Sequence, residues 1–248
     1  MDLEMKSFPK GAAFLLFVLA LQLSATEASA LPDEGWKAAH ATFYGGSDVQ
    51  GTNGGACGYQ NVFALGYGSM TTAISPQLYG DGNRCGACFE VRCTGARGCL
   101  YSSVIVTATN QGPQWSTEYP GPHFHLAQPA FNRIADITAG HVPIEYRRVN
   151  CVREGGIKFA IHGQRYSMQV LVYNVGGKGD VSGLAVKGQR SEWIQMIHLW
   201  GQIWSTQEIL DGQSLCFRVT SSDGRSVTSC DVAPAMWHYG KTYEGSQF

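Results

Sequence analysis

The sequence predicts a mainly β, disulfide-bonded protein built as two halves. Three observations carry this. Glycine supplies 31 of 248 residues, about twice its usual share, with no G-x-y period. Runs of β-branched and aromatic residues alternate with Gly-rich turns along most of the chain. The eight cysteines split into Cys57, Cys85, Cys88, Cys93, Cys99 and Cys151, then Cys216 and Cys230. Six and two are even counts, as two separately bridged domains in an oxidising compartment require.

The first element is a leader. Lys6 and Lys10 precede an apolar run from Gly11 to Leu23, and Ala28-Ser29-Ala30 offers small residues for cleavage. The run is short of the roughly 20 residues that span a bilayer, so residues 1–30 read as a signal peptide. No later stretch reads as a transmembrane segment. Removing the leader leaves equal numbers of acidic and basic residues. A neutral chain does not capture nucleic acid by charge. No N-x-[ST] acceptor occurs.

The first half then offers strands at Ala41–Tyr44, Cys88–Cys93, Val104–Thr109 and Ile144–Val149. Ala130, Ile134 and Ile137 recur at helical spacing between Pro129 and Gly140, which predicts a helix over Pro129–Ala139. The second half reads as nearly pure β, with strands at Ile157–Ile161, Met168–Asn174, Gly183–Lys187, Trp193–Ile197, Leu215–Thr220 and Ser226–Ser229. Short strands at this spacing suggest a β-sandwich. Asp223-Gly224 is a hairpin turn signal. Folding about it brings Cys216 opposite Cys230, which predicts a cross-strand disulfide. Cys85-Gly-Ala-Cys88 has no partner motif for a metal site.

Several stretches together name a family. They are Ala41-Thr42-Phe43-Tyr44-Gly45-Gly46-Ser47-Asp48, Gly54-Gly55-Ala56-Cys57-Gly58-Tyr59, Cys85-Gly86-Ala87-Cys88-Phe89-Glu90-Val91, and Leu126-Ala127-Gln128-Pro129-Ala130-Phe131. Val142-Pro143 to Cys151, Asn174-Val175-Gly176-Gly177, Trp200-Gly201-Gln202-Ile203-Trp204 and Gln247-Phe248 complete the set. In order and spacing the mature chain resembles a plant alpha-expansin. The resemblance implies an N-terminal six-stranded double-psi β-barrel over residues 31–157, related to family-45 glycoside hydrolases. It implies a C-terminal cellulose-binding β-sandwich over residues 158–248. It further implies a secreted, monomeric cell-wall protein that binds cellulose and matrix polysaccharides such as xyloglucan. Such a protein loosens the wall in acid without hydrolysis and uses no metal or organic cofactor. The implied bridges are Cys57–Cys85, Cys88–Cys151 and Cys93–Cys99.

Two departures stand out. A family cysteine pair is absent from Thr109 to Pro122, while Cys216 and Cys230 are extra. The family's His-Phe-Asp reads His123-Phe124-His125. The missing Asp corresponds to the proton donor of the related hydrolases, whose base position expansins already lack. Glycoside hydrolysis needs two carboxyl groups about 5–10 Å apart, and Asp48, Asp81, Glu90 and Glu118 are not paired by anything in the sequence. With an unperturbed pKa near 6.5, His125 is expected to be mostly charged in an acidic wall.

The candidate groove residues are Thr42, Tyr44, Asp48 and His125. Four of the six Trp lie in the second half. Aromatic faces stack on pyranose rings. Alignment with the family selects Tyr166 and Trp200 for an exposed platform, assigns Trp193 and Trp204 to the core, and leaves Trp237 open. Lys178, Lys187 and Arg190 read as scattered surface charge.

Overall fold

The computed structural model describes residues 35–46, 54–113 and 121–248. The expected signal peptide, Asp48, Trp115 and Glu118 lie outside the described residues.

Six strands form the first half: β1 (Lys37–Tyr44), β2 (Thr71–Ile74), β3 (Cys88–Cys93), β4 (Ser103–Gln111), β5 (His123–Ala127) and β6 (His141–Val149). They close into a barrel in the order β1-β5-β2-β4-β3-β6. The pairs β1–β5 and β2–β4 are parallel and the other four antiparallel. This is the double-psi barrel that the resemblance implies. Period-two alternation fills it. Ala39 and Ala41 of β1 join Val91, Val106, Phe124, Leu126, Val142 and Ile144 in one core. His40, Thr42 and Tyr44 therefore share the opposite face of β1.

Two short helices, α1 (Pro76–Tyr79) and α2 (Gln128–Ile134), flank the barrel. The expected helix Pro129–Ala139 is shorter than its periodicity suggests. Ala135 turns extended and bridges Cys99, and the Asp136 side chain then accepts the Thr138 amide at 2.8 Å to start a separate 3-10 turn. A local Asp cap outcompetes continued helix here.

Nine strands follow: β7 (Lys158–Gln164), β8 (Ser167–Tyr173), β9 (Val181–Gly188), β10 (Ile194–Gln195), β11 (Ile197–Trp200), β12 (Ile203–Thr206), β13 (Leu215–Ser221), β14 (Ser226–Ala233) and β15 (Lys241–Glu244). They make a four-stranded sheet, β10-β9-β13-β14, and a five-stranded sheet, β11-β12-β8-β7-β15. Phe159, Val170, Trp204, Leu184, Phe217 and Val219 fill the core they share. The stretch Trp193–Ile197, expected as one strand, changes sheet instead. Met196 is buried and bonds Leu184, and Ile197 begins pairing with β12 in the other sheet. Cys216–Cys230 joins β13 to β14, and Cys57–Cys85, Cys88–Cys151 and Cys93–Cys99 lie in the first half.

Residues 34–248 form one unit. Leu171, Ala160 and Ile203, on the outer face of the five-stranded sheet, pack into the barrel's hydrophobic cluster. The Gln202 amide bonds the Cys57 carbonyl at 3.1 Å. Asp180, fully buried, meets Arg148 at 3.1 Å, Arg84 at 3.4 Å and the Ser222 hydroxyl at 2.6 Å. Gly179 and Gly86 cross so closely that a Cβ on either would lie under 2.5 Å from the other's carbonyl.

Candidate functional site

Register brings the groove together. On one side of β1, His40 faces His123 and Thr42 faces His125; on the other, Thr42 faces His141 of β6. The Thr42 hydroxyl lies 2.9 Å from His123 Nε2 and 3.1 Å from His125 Nδ1. A hydroxyl has one proton and two lone pairs, so Thr42 can bridge two imidazoles. The His123 and His125 ring centres are 4.7 Å apart, and His141 stacks on His40 at 4.9 Å and on His123 at 6.3 Å. Gly112 makes room for this ring set: a Cβ there would come within 3.2 Å of His125.

Burial first, then the neighbouring imidazoles of His125, His141 and His40, push the His123 pKa down to about 3. Burial also lowers that of His125. This corrects the expectation of an unperturbed His125: burial disfavours its charged form.

The Tyr44 hydroxyl faces Thr71 and Thr109, and burial raises its pKa. Next along β4, Asn110 accepts the Ala56 amide at 2.7 Å and so holds the Gly54–Gly58 loop. Thr71, Thr109, His40, His123 and His141 were missed as site residues. The alternation His40-x-Thr42-x-Tyr44 and His123-x-His125 was the available signal.

Of the carboxylates considered, Glu90 is on β3, separated from β1 by β6, and is held by Arg147 at 2.7 Å and the Ser103 hydroxyl at 2.7 Å. Asp81 sits in the exposed turn after α1. Neither belongs to the Thr42 cluster.

Trp200 and Tyr166 are 49% and 65% exposed, and both belong to the five-stranded sheet, at the end of β11 and in the β7–β8 turn. Ile197 and Leu199 add exposed apolar surface beside Trp200. A Cβ on Gly58 would lie 3.4 Å from the Trp200 ring, so the platform abuts the barrel loop that Asn110 holds. Trp204 and Trp237 are buried in the second core. Trp193 is not in that core: it is half-buried, with the Arg218 guanidinium 4.1 Å from its ring centre. Stacking on a cation, not burial among apolar side chains, satisfies it.

The Expansin C-terminal domain family matches residues 157–234, and a family described as Lytic transglycolase matches residues 71–146. Expansin-A32 of Oryza sativa subsp. japonica is 48% identical over 226 residues, covering 86% of this chain and 84% of that protein. Expansin-A7 of Arabidopsis thaliana is 46% identical over 222 residues, covering 85% of each. A mutant Clavibacter michiganensis expansin solved with cellohexaose superposes with a TM-score of 0.68 at 20% identity, covering 86% of this chain and 98% of that one. At that identity the likeness speaks for the fold.

Proposed function

The chain belongs to the expansin family, among the alpha-expansins, and from that premise we propose that it is a secreted wall-loosening protein. It binds cellulose and matrix glycans, xyloglucan among them, as a monomer, and it separates them without hydrolysis. The observation that supports this reading is a run of packed contacts from the groove cluster to the platform. Tyr44 faces Thr109; Asn110 beside it holds the loop of Ala56 and Gly58; Gly58 abuts Trp200. A glucan bound here has the exposed aromatic faces of Trp200 and Tyr166 to stack on, and the half-buried imidazoles of His40 and His125 on the barrel. Stacking and neutral hydrogen bonds suit an uncharged polymer.

The groove chemistry among the described residues supports an action without hydrolysis. His125 stands where the related hydrolases have their acid, and Glu90 is ion-paired to Arg147 outside the Thr42 cluster. A pair of carboxyl groups on either side of a glycosidic bond is what such catalysis requires.

The platform is tested by Trp200→Ala and Tyr166→Ala. Each is expected to weaken cellulose binding by about 1–3 kcal/mol, in the range of aromatic stacking elsewhere, with the fold intact. Unchanged binding in depletion isotherms would show the surface to be misplaced.

His125 divides two readings. If Thr42 with its two imidazoles supports loosening, the native chain extends heat-killed walls and His125→Ala abolishes the extension. If a carboxylate is required, the native chain binds walls without extending them, and His125→Asp restores creep without releasing reducing sugar. We favour the first, because Thr42 and Tyr44 keep their places beside His125. Creep by His125→Ala equal to the native rate contradicts both.

A further inference from the structure

Outside the groove, the outward residues of β3 and β4 floor a separate cleft of about 370 Å3. Its lining includes Trp36, Glu90, Arg92, Leu100, Tyr101 and Ser103. The floor is polar and balanced in charge. Glu90 takes Arg147 and the Ser103 hydroxyl at 2.7 Å each, and Arg92 is paired with Glu145 at 2.7 Å. One wall is Trp36, with the Arg92 guanidinium 4.0 Å from its ring centre. The other is Leu100 and Tyr101, both exposed, Tyr101 wholly so.

The loop carrying Tyr101 is fixed. Cys93–Cys99 closes it, the Leu100 amide bonds the Ile134 carbonyl at 2.8 Å, and the Asp136 amide bonds the Gly98 carbonyl at 2.8 Å. The Ser102 hydroxyl donates to the Arg133 carbonyl. A tyrosine fully in solvent adds nothing to the core, yet these bonds limit where its ring can go. Ordering a stacking face in advance lowers the entropic cost of binding to it.

We infer that this cleft is a second carbohydrate site that takes a neutral pyranoside segment, stacking it on Tyr101 and hydrogen-bonding its hydroxyls to Ser103, Glu90 and Arg92. A pyranose has an apolar face for the ring and hydroxyls that both donate and accept. Glu90 and Ser103 have lone pairs beyond the bonds described, and a guanidinium has five N–H donors, of which Glu145 engages those on Nε and Nη2. The paired floor offers no net charge to attract an acidic polymer. The volume is at the lower end of small-ligand pockets, enough for roughly one or two sugar residues. The cleft shares no lining residue with the Thr42 cluster, so a chain held here leaves the groove open to another.

The test is amide NMR of the mature chain titrated with xylotetraose. Saturable shifts are expected at residues 90, 92 and 100–103. Tyr101→Ala, at a fully exposed position, should weaken that binding about tenfold or more, whereas Trp200→Ala should leave it unchanged. No saturable shift at those amides, or equal affinity in Tyr101→Ala, overturns the proposal. Tighter binding of tetragalacturonate than of xylotetraose overturns the neutral class. Failure of the groove and platform reading appears elsewhere, as lost cellulose binding or lost creep.

Discussion

Replacing Asp180 with Ala is expected to destabilise the protein by about 3–5 kcal/mol, the cost of leaving a buried partner charge uncompensated. Asp180 is fully buried and binds Arg148 at 3.1 Å, and the Arg148 side chain is only 8% exposed. Arg84, on the loop before β3, and Ser222, in the β13–β14 turn, share the same carboxylate. The variant therefore removes the one carboxylate that the buried Arg148 guanidinium and the Ser222 hydroxyl share where the barrel meets the sandwich, and leaves Arg148 the Lys178 carbonyl, which carries no charge. Asp180→Asn keeps the shape and an acceptor for Ser222, and should cost less. Urea unfolding of both variants, followed by fluorescence and circular dichroism, checks this. A loss below about 1 kcal/mol for Asp180→Ala would mean that Arg148 finds water or another partner.

The second large effect is a loss of stability in acid. His123 has its pKa depressed to about 3 by burial and by the imidazoles of His125, His141 and His40. The unfolded chain has it near 6.5. Between these values the unfolded state binds more protons, so stability rises with pH. The contribution of neutral His123 is therefore fully present above about pH 6.5 and is lost as pH falls toward 3, at about 1.4 kcal/mol per unit. Between pH 7 and pH 5 the expected loss is about 2 kcal/mol. His125, lowered by burial, adds in the same direction. His123→Gln preserves a hydrogen-bonding partner for Thr42 and removes the titration, so its stability should vary less between pH 5 and 7. A native stability equal at the two pH values would contradict the neutral cluster. Acid thus works against this barrel, and the three bridges in it, Cys57–Cys85, Cys88–Cys151 and Cys93–Cys99, oppose its unfolding.

Much of the fold was legible because its signals are local. Alternation identified Cys88–Cys93 and Leu215–Thr220, and Asp223-Gly224 marked the turn between β13 and β14. β2 was not legible: Thr71–Ile74 is four residues long and buried throughout, so it shows no alternation. β5 was hidden because His123 and His125 read as a motif rather than as one face of a strand. The split at Met196 depends on a change of sheet, which the run Trp193-Ile194-Gln195-Met196-Ile197 does not signal.

The site was partly legible for the same reason. Thr42, Tyr44 and His125 came from motif positions, and the exposure of Tyr166 and Trp200 from family alignment. The histidine cluster was not visible, since it joins β1, β5 and β6 through one parallel and one antiparallel register. Nor was the depressed pKa of His123, which arises from burial and those long-range neighbours.

The central claim is loosening without bond cleavage. The most direct measurement applies the mature protein to heat-killed, clamped plant walls under constant load at acidic pH and assays the bath for reducing sugar. The account predicts sustained extension with no sugar released above the protein-free control. Extension accompanied by sugar release that grows with time, or no extension at any acidic pH by protein that is folded and bound to the wall, would contradict it.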